Sequence, residues 1–300
     1  MLIDTHAHLN FPAFDKDREE VIEKCLRENI RMMNVGSNYE TSKKAVEIAE
    51  KHEKGVYASI GLHPINLDTG LVKIKIDEKE GSHFEKAFDY EKYKGLARSA
   101  SSGRVVAIGE IGLDYYSKPK TKRKLELFKG KQRSGLCQQL DLATELNLPV
   151  IFHCRMAHQD LIPILNSVDV LCDRTKHQPI RGVMHGFVGT LEQLKEYLKM
   201  GFYIGFNGII FKKIDGINFE EIIKETPLDR ILIETDCPYL TPPIGVNPRC
   251  HPRQSASTIR NEPPNVKYVA QKIAEIKNIS YEKVAEITTQ NTKELFKLDI

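Results

Sequence analysis

Apolar positions in this chain fall into short continuous runs rich in β-branched residues, and between those runs they recur with helical spacing. The runs stand at 2–8, 31–37, 56–63, 104–113, 149–155, 182–187, 202–210 and 230–236. The segments at 15–29, 40–54, about 84–101, about 122–147, 157–167, 190–200 and 217–225, and 264–277 after the last run, carry the period of amphipathic helices. A strand that is apolar throughout is covered on both faces, and one followed each time by a helix reaches its neighbour by a crossover, so these strands lie parallel. Eight such units in 300 residues predict an α/β fold, a TIM-type (β/α)8 barrel, with 1–300 as one domain. A doubly wound open sheet is the alternative, but no glycine-rich turn of the dinucleotide-binding kind follows the first strand. A last helix is expected over 280–297, starting at Ser280, with Lys283 rather than an acid at the capping-box position.

Three connections are longer than a barrel requires. Residues 64–83 contain the alternating run Leu71-Val72-Lys73-Ile74-Lys75-Ile76, which predicts a small hairpin or flap. Residues 168–181 lengthen the turn before the sixth strand. The proline-rich stretch 237–263 leaves the carboxyl end of the eighth strand, the catalytic face of a barrel, and is expected to roof part of the site.

The net charge of +3 is too small to mark a nucleic-acid protein by itself. Charge is concentrated locally, however. Between Lys118 and Arg133 there are eight Lys or Arg and one acid, Glu126, which suits either a solvated helix face or a surface that neutralises phosphates. Six scattered cysteines (25, 137, 154, 172, 237, 250) show no paired spacing, which predicts reduced thiols and a cytoplasmic protein. No run approaches the ~18 apolar residues of a membrane span, and the chain opens on a strand rather than a leader, so no membrane association is expected.

Six polar residues interrupt the apolar runs, all near the carboxyl ends of predicted strands. They are His6 and His8 on the first, Glu110 on the fourth, His153 on the fifth, His185 on the sixth and Asp236 on the eighth. His-x-His on a strand points both imidazoles to one side. A carboxylate at the end of a buried strand is costly unless paired, protonated or bound to a cation. In a barrel these ends share one rim, and four histidines with two carboxylates match two divalent ions sharing a bridging carboxylate, with positions left for water.

The ordered motifs Asp4-Thr5-His6-Ala7-His8-Leu9, Gly61-Leu62-His63-Pro64, Gly109-Glu110-Ile111-Gly112-Leu113-Asp114-Tyr115, His153-Cys154-Arg155, His185-Gly186-Phe187, Glu234-Thr235-Asp236-Cys237-Pro238-Tyr239-Leu240 and Arg260-Asn261-Glu262-Pro263 resemble the TatD family of metal-dependent deoxyribonucleases in the amidohydrolase superfamily. The resemblance implies a metal-dependent hydrolase acting on phosphodiester bonds, with DNA, single-stranded or at frayed 3′ ends, as substrate. It implies His6, His8, Glu110 and Asp236 as ligands of one ion and Glu110, His153 and His185 as ligands of another. The ions are Zn, Mn or Mg, and together they would hold the attacking hydroxide. Two motifs depart from the family's usual pattern. His153-Cys154-Arg155-Met156-Ala157 lacks the acid common after the fifth strand, and His185-Gly186-Phe187-Val188-Gly189 replaces His-Cys-Phe-Ser-Gly. No ligand is lost, but the surroundings that tune the metals and select substrate are altered.

On this reading Asp236 orients water and takes its proton, Arg155 holds a phosphate or closes a rim salt bridge, and His63 meets the substrate or supports a ligand. Asp4 and Glu234 suit orienting roles, and Arg260-Asn261-Glu262-Pro263 suits pinning the last loop. Tyr115 and Tyr116 offer stacking surfaces for a single strand. His251 beside Cys250 suits packing rather than a further metal. The rival reading is an amidohydrolase that opens a small ester, amide or nucleobase. That branch often bridges its metals with a lysine on the fourth strand, where this chain has Glu110. A metal-binding scaffold without activity is the third possibility, and no obligate protein partner is evident.

Overall fold

The structure, a computed structural model, describes residues 1–73, 77–81, 83–166, 179–243 and 259–299. Eight parallel strands follow one another in chain order: β1 (Leu2–Ala7), β2 (Ile30–Val35), β3 (Val56–Ile60), β4 (Val105–Asp114), β5 (Val150–Arg155), β6 (Gly182–Met184), β7 (Tyr203–Phe206) and β8 (Ile231–Ile233). Helices alternate with them on the outside: α1 (Arg18–Arg27), α2 (Tyr39–Lys51), α3 (Tyr90–Ser99), α4 (Lys122–Glu145), α5 (His158–Leu165), α6 (Leu191–Lys199), α7 (Phe219–Glu225) and α8 (Val266–Lys277). A last helix, α9 (Tyr281–Phe296), begins where Ser280 accepts a hydrogen bond from the Lys283 amide. The fold is the TIM-type barrel that the strand rhythm predicts.

The ends of the sheet meet between β1 and the residues just past β8. The Asp236 amide donates to the His6 carbonyl at 2.8 Å and the His8 amide to the Cys237 carbonyl at 2.9 Å. Inside the barrel Ile3, Met33, Tyr57, Val106, Ile151, Val183, Tyr203 and Leu232 form one apolar cluster, with Leu295, Phe296 and Leu298 of the C-terminal segment packed against it. A second, larger cluster fills the space between strands and helices. The barrel interior is therefore a packed core below the carboxyl rim, and the polar side chains of the site lie above it.

Two strands break register where they carry site residues. The β1–β2 pairing shifts between Asp4 and Ala7, and the β4–β5 pairing shifts between Ile108 and Ile111. Ile3 faces the inner core, so regular alternation would turn His6 outward; the irregularity turns His6 and His8 inward instead.

The long connections are partly visible. Leu71 and Val72 pack on the outer core, but 74–76 lie outside the described residues, so the predicted flap is described only in part. Residues 167–178, most of the extra turn before β6, and 244–258, the middle of the expected roof with His251 and Cys250, also lie outside them. Of the cysteines described, Cys25, Cys154 and Cys237 are free while Cys137 is disulfide-bonded. The expectation of uniformly reduced thiols fails there, because sequence spacing does not report which sulfurs meet in space. Among the described residues no helix is long and apolar enough to cross a membrane.

Candidate metal centre and active site

The six residues singled out along the chain converge at the carboxyl rim. The Glu110 carboxylate stands at the centre with its oxygens turned to different partners. Oε2 lies 3.4 Å from His6 Nε2, while Oε1 lies 2.7 Å from His153 Nδ1, 3.4 Å from His63 Nε2 and 3.9 Å from His185 Nε2. His6 and His8 bring their Nε2 atoms within 3.1 Å of each other. Asp236 Oδ1 is 3.4 Å from His8 Nε2, 3.9 Å from His185 Nε2 and 4.0 Å from His6 Nε2. The His6 and His185 rings stack with centroids 3.5 Å apart. Three overlapping groups could each hold a cation: His6, His8 and Asp236; His6, Glu110 and His185; and His63, Glu110 and His153.

A family model described as TatD related DNase matches residues 3–297. The chain belongs to the TatD family of metal-dependent hydrolases. It is 39% identical to the uncharacterized metal-dependent hydrolase YabD of Bacillus subtilis, with all of both chains covered. It is 31% identical to a 3′-5′ ssDNA/RNA exonuclease TatD of a Pantoea species, covering 99% of this chain and 100% of that one. Among solved structures the TatD homologue YJJV of Escherichia coli K12 superposes with a TM-score of 0.75 at 26% identity, over 99% of this chain and 98% of the other.

Hydrogen bonds around the TatD centre decide which imidazole nitrogens are available. His8 Nδ1 donates to the Val35 carbonyl at 2.8 Å, and His185 Nδ1 donates to Glu234 Oε2 at 2.9 Å. With Nδ1 committed in each ring, Nε2 is the nitrogen each can offer to a cation in the space between Glu110 and Asp236, once that nitrogen is unprotonated. His63 is set the other way. Its Nδ1 accepts the Ile65 amide at 3.0 Å, so its proton sits on Nε2, facing Glu110, and in this tautomer His63 does not serve as a ligand in the third group.

Charge in the site is unbalanced toward the anionic side. Glu110 is fully buried, which opposes ionisation, yet His63, His153 and His6 hold it well below the usual carboxylate range. Asp236 is likewise held low against burial by His8, His185 and His6. The histidines respond in kind. Burial would discharge His153, but Asp114 and Glu110 raise it to about 9; burial is likewise outweighed at His185, where Glu234 and Glu110 raise it to about 10. His6, which burial and the neighbouring His185 push down to about 4, stays neutral. Protons on His153 and His185 thus supply positive charge that buried carboxylates demand. A divalent cation would supply the same charge and use the same lone pairs. The donor set fits a metal on its own chemistry.

Asp114 also stands in this cluster, a place its motif alone does not announce. Its Oδ2 accepts from His153 Nε2 at 3.0 Å, and its Oδ1 takes the Tyr116 amide at 2.8 Å. The available signal was parity, since Asp114 is the last residue of β4 and lies on the same alternation as Glu110 and Gly112. Asp4 orients backbone rather than a ring: it accepts the Thr235 amide at 2.9 Å and the His6 amide at 3.2 Å. Arg260 and Asn261 do tie the last loop down. Arg260 Nη1 donates to Asp17 at 2.8 Å and to the Ala13 carbonyl at 2.8 Å, and Asn261 Nδ2 donates to the Thr235 and Tyr239 carbonyls at 3.0 and 2.7 Å.

Arg155 stands at the mouth and forms no ion pair among the described residues, so no rim salt bridge claims it there. It lies over the ring of Tyr116, 3.7 Å from the centroid. The open cleft beside it measures about 580 Å³ and is bounded by His153, His185 and Asp236 on the polar side and by Met156, Ile209 and Leu240 among its apolar walls.

Proposed function

We propose that this TatD hydrolase is a phosphodiesterase that removes nucleotides from single-stranded or frayed ends of DNA, using a pair of divalent cations. The observation that carries the reading is the placement of Glu110, whose two oxygens face two separate sets of imidazoles. His6, His8 and Asp236 would complete one site with Glu110; His153 and His185 would complete the other. Bound there, divalent cations would activate water and offset the charge of a phosphodiester, and nitrogen-rich ligation favours Zn or Mn over Mg.

The chain's own residues supply the rest. Asp236 is ionised and lies at the cleft wall, so it can accept a proton from an attacking water. Arg155, with no carboxylate partner among the described residues, can hold a non-bridging phosphate oxygen with its planar fork. The Nε2 proton of His63 is directed into the site, where it can meet a substrate oxygen. Relatives described as 3′-5′ ssDNA/RNA exonucleases support both the bond class and the single-stranded substrate.

The test is divalent-dependent release of mononucleotides from a 3′-labelled single-stranded oligonucleotide, run beside elemental analysis of the purified protein. Release that needs metal and is lost in His6→Ala is the expected result. No release with any of Zn, Mn and Mg, together with hydrolysis of a simple ester that His6→Ala abolishes, would move the assignment to the small-molecule amidohydrolase reading.

A further inference from the structure

Three of the large apolar side chains exposed on this surface line the cleft or the hollow that adjoins it: Tyr116, at 62% exposure, lines both, Met156 at 65% lines the cleft and Ile65 at 45% the hollow. Exposed apolar groups gathered at one place, rather than scattered, mark a surface that something covers. Tyr116 is covered on one face by the Arg155 guanidinium, 3.7 Å from the ring centroid. The stacked pair is also a partition. Both residues line the cleft that contains His153, His185 and Asp236, and both line a smaller hollow of about 80 Å³ behind it, walled by Pro64, Ile65 and Phe128 with Lys73 at its edge.

From this partition the chain runs directly into its most basic stretch. Lys118, Lys120, Lys122, Arg123 and Lys124 are exposed and form no ion pair among the described residues. Lys129 and Lys131, further along α4, are already engaged, with Asp160 at 2.9 Å and the Thr69 carbonyl at 2.8 Å. The first turn of α4 holds no acid, and the Thr121 side chain does not cap it. Cations there repel one another and oppose the helix dipole, so the arrangement costs stability that nothing within the described fold returns.

We propose that the Arg155–Tyr116 stack is a nucleobase platform at the exit of the cleft, and that Lys118 to Lys124 grip the backbone of the strand that leaves it. The inference rests on the phosphodiesterase reading for its place in catalysis, and it names the substrate as a single strand several nucleotides long. A planar guanidinium on an aromatic ring presents a flat π surface that takes any unstacked base and rejects a closed helix, whose bases are already stacked. The unpaired lysines then act on phosphates without reading sequence.

The experiment measures binding of fluorescein-labelled, hydrolysis-resistant phosphorothioate oligo(dT) to the metal-loaded protein by anisotropy, in short and long versions and across a salt series. A single-stranded RNA and a blunt DNA duplex form parallel arms. Tyr116→Ala is expected to weaken binding of the long single strand roughly 5- to 150-fold, the size of one lost base stack, and Tyr116→Trp to restore it. The triple variant Lys122→Glu, Arg123→Glu, Lys124→Glu should weaken the long strand more than the short one and reduce the salt slope by about 2. Each variant is also compared on bis(p-nitrophenyl) phosphate, where losses should be smaller than those for the oligonucleotide. Variants that bind single strands as wild type does, or a duplex held as tightly as a single strand, overturn the platform. Failure of the wild type to hydrolyse the small diester with any divalent ion counts against the phosphodiesterase reading instead, and the platform is still judged on the binding arm.

Discussion

Glu234 holds His185 in place: its Oε2 accepts His185 Nδ1 at 2.9 Å and the Gly186 amide at 2.9 Å, while its other oxygen, Oε1, is buried without a partner among the described residues. The pair fixes both the ring orientation and the tautomer of one proposed ligand. Glu234→Gln keeps the shape and removes the charge, so metal affinity should fall by about 10- to 100-fold. A fluorescent-chelator competition titration checks this. Equal affinity in the variant would show that His185 needs no support from behind.

Glu110 is asked to serve two cations at once. Glu110→Gln should lower the metal content from two ions per chain toward one and reduce turnover of a phosphodiester by several kcal/mol, on the order of 10³-fold. Mass spectrometry of metals, paired with kinetics, reads both. Unchanged metal content would count against the bridging arrangement.

Metal binding should release protons. His153 and His185 carry their charge up to about 9 and about 10 in the metal-free site, whereas an imidazole ligand must be neutral. Raising the pH therefore favours the bound state. Apparent affinity should climb between about pH 6 and about pH 9, by up to about tenfold per unit for each proton displaced. Calorimetry in buffers of different ionisation enthalpy counts those protons directly, and a pH-independent affinity would contradict the charged state assigned to the two rings.

Gly205 on β7 lies where a Cβ would collide with the Glu234 carboxylate. Gly205→Ala should cost about 1–3 kcal/mol by overpacking, seen as a lower melting temperature. Because the displaced group is the one that orients His185, metal affinity should drop together with stability. A variant that melts earlier but binds metal normally would separate the two effects.

The strand and helix rhythm of the barrel was legible because β1 to β8 are nearly uniform apolar runs, and their shared rim follows from closure. The convergence of His6, His8, Glu110, His153, His185 and Asp236 followed from the same rule. The sequence did not reveal which neighbour each ring would lean on. Asp114 and His153 are 39 residues apart, and their pairing depends on the local register of β4 against β5, which no alternation pattern carries across the break between Ile108 and Ile111. The tautomer of His63 was equally hidden, because it depends on one backbone amide in a turn. The Cys137 disulfide likewise depends on spatial rather than sequential proximity.

Closure of the sheet runs through the candidate metal centre itself. His6 and His8 are zipped to Asp236 and Cys237 by main-chain bonds, and Thr5 reaches the Ile233 carbonyl across 228 positions of sequence. The first stave of the barrel and the last are joined where the cations would sit. A ribosome must therefore have released nearly the whole chain before this centre can assemble, so a fragment ending ahead of β8 lacks one wall of the cup. The proposed chemistry therefore needs the chain at least as far as Cys237.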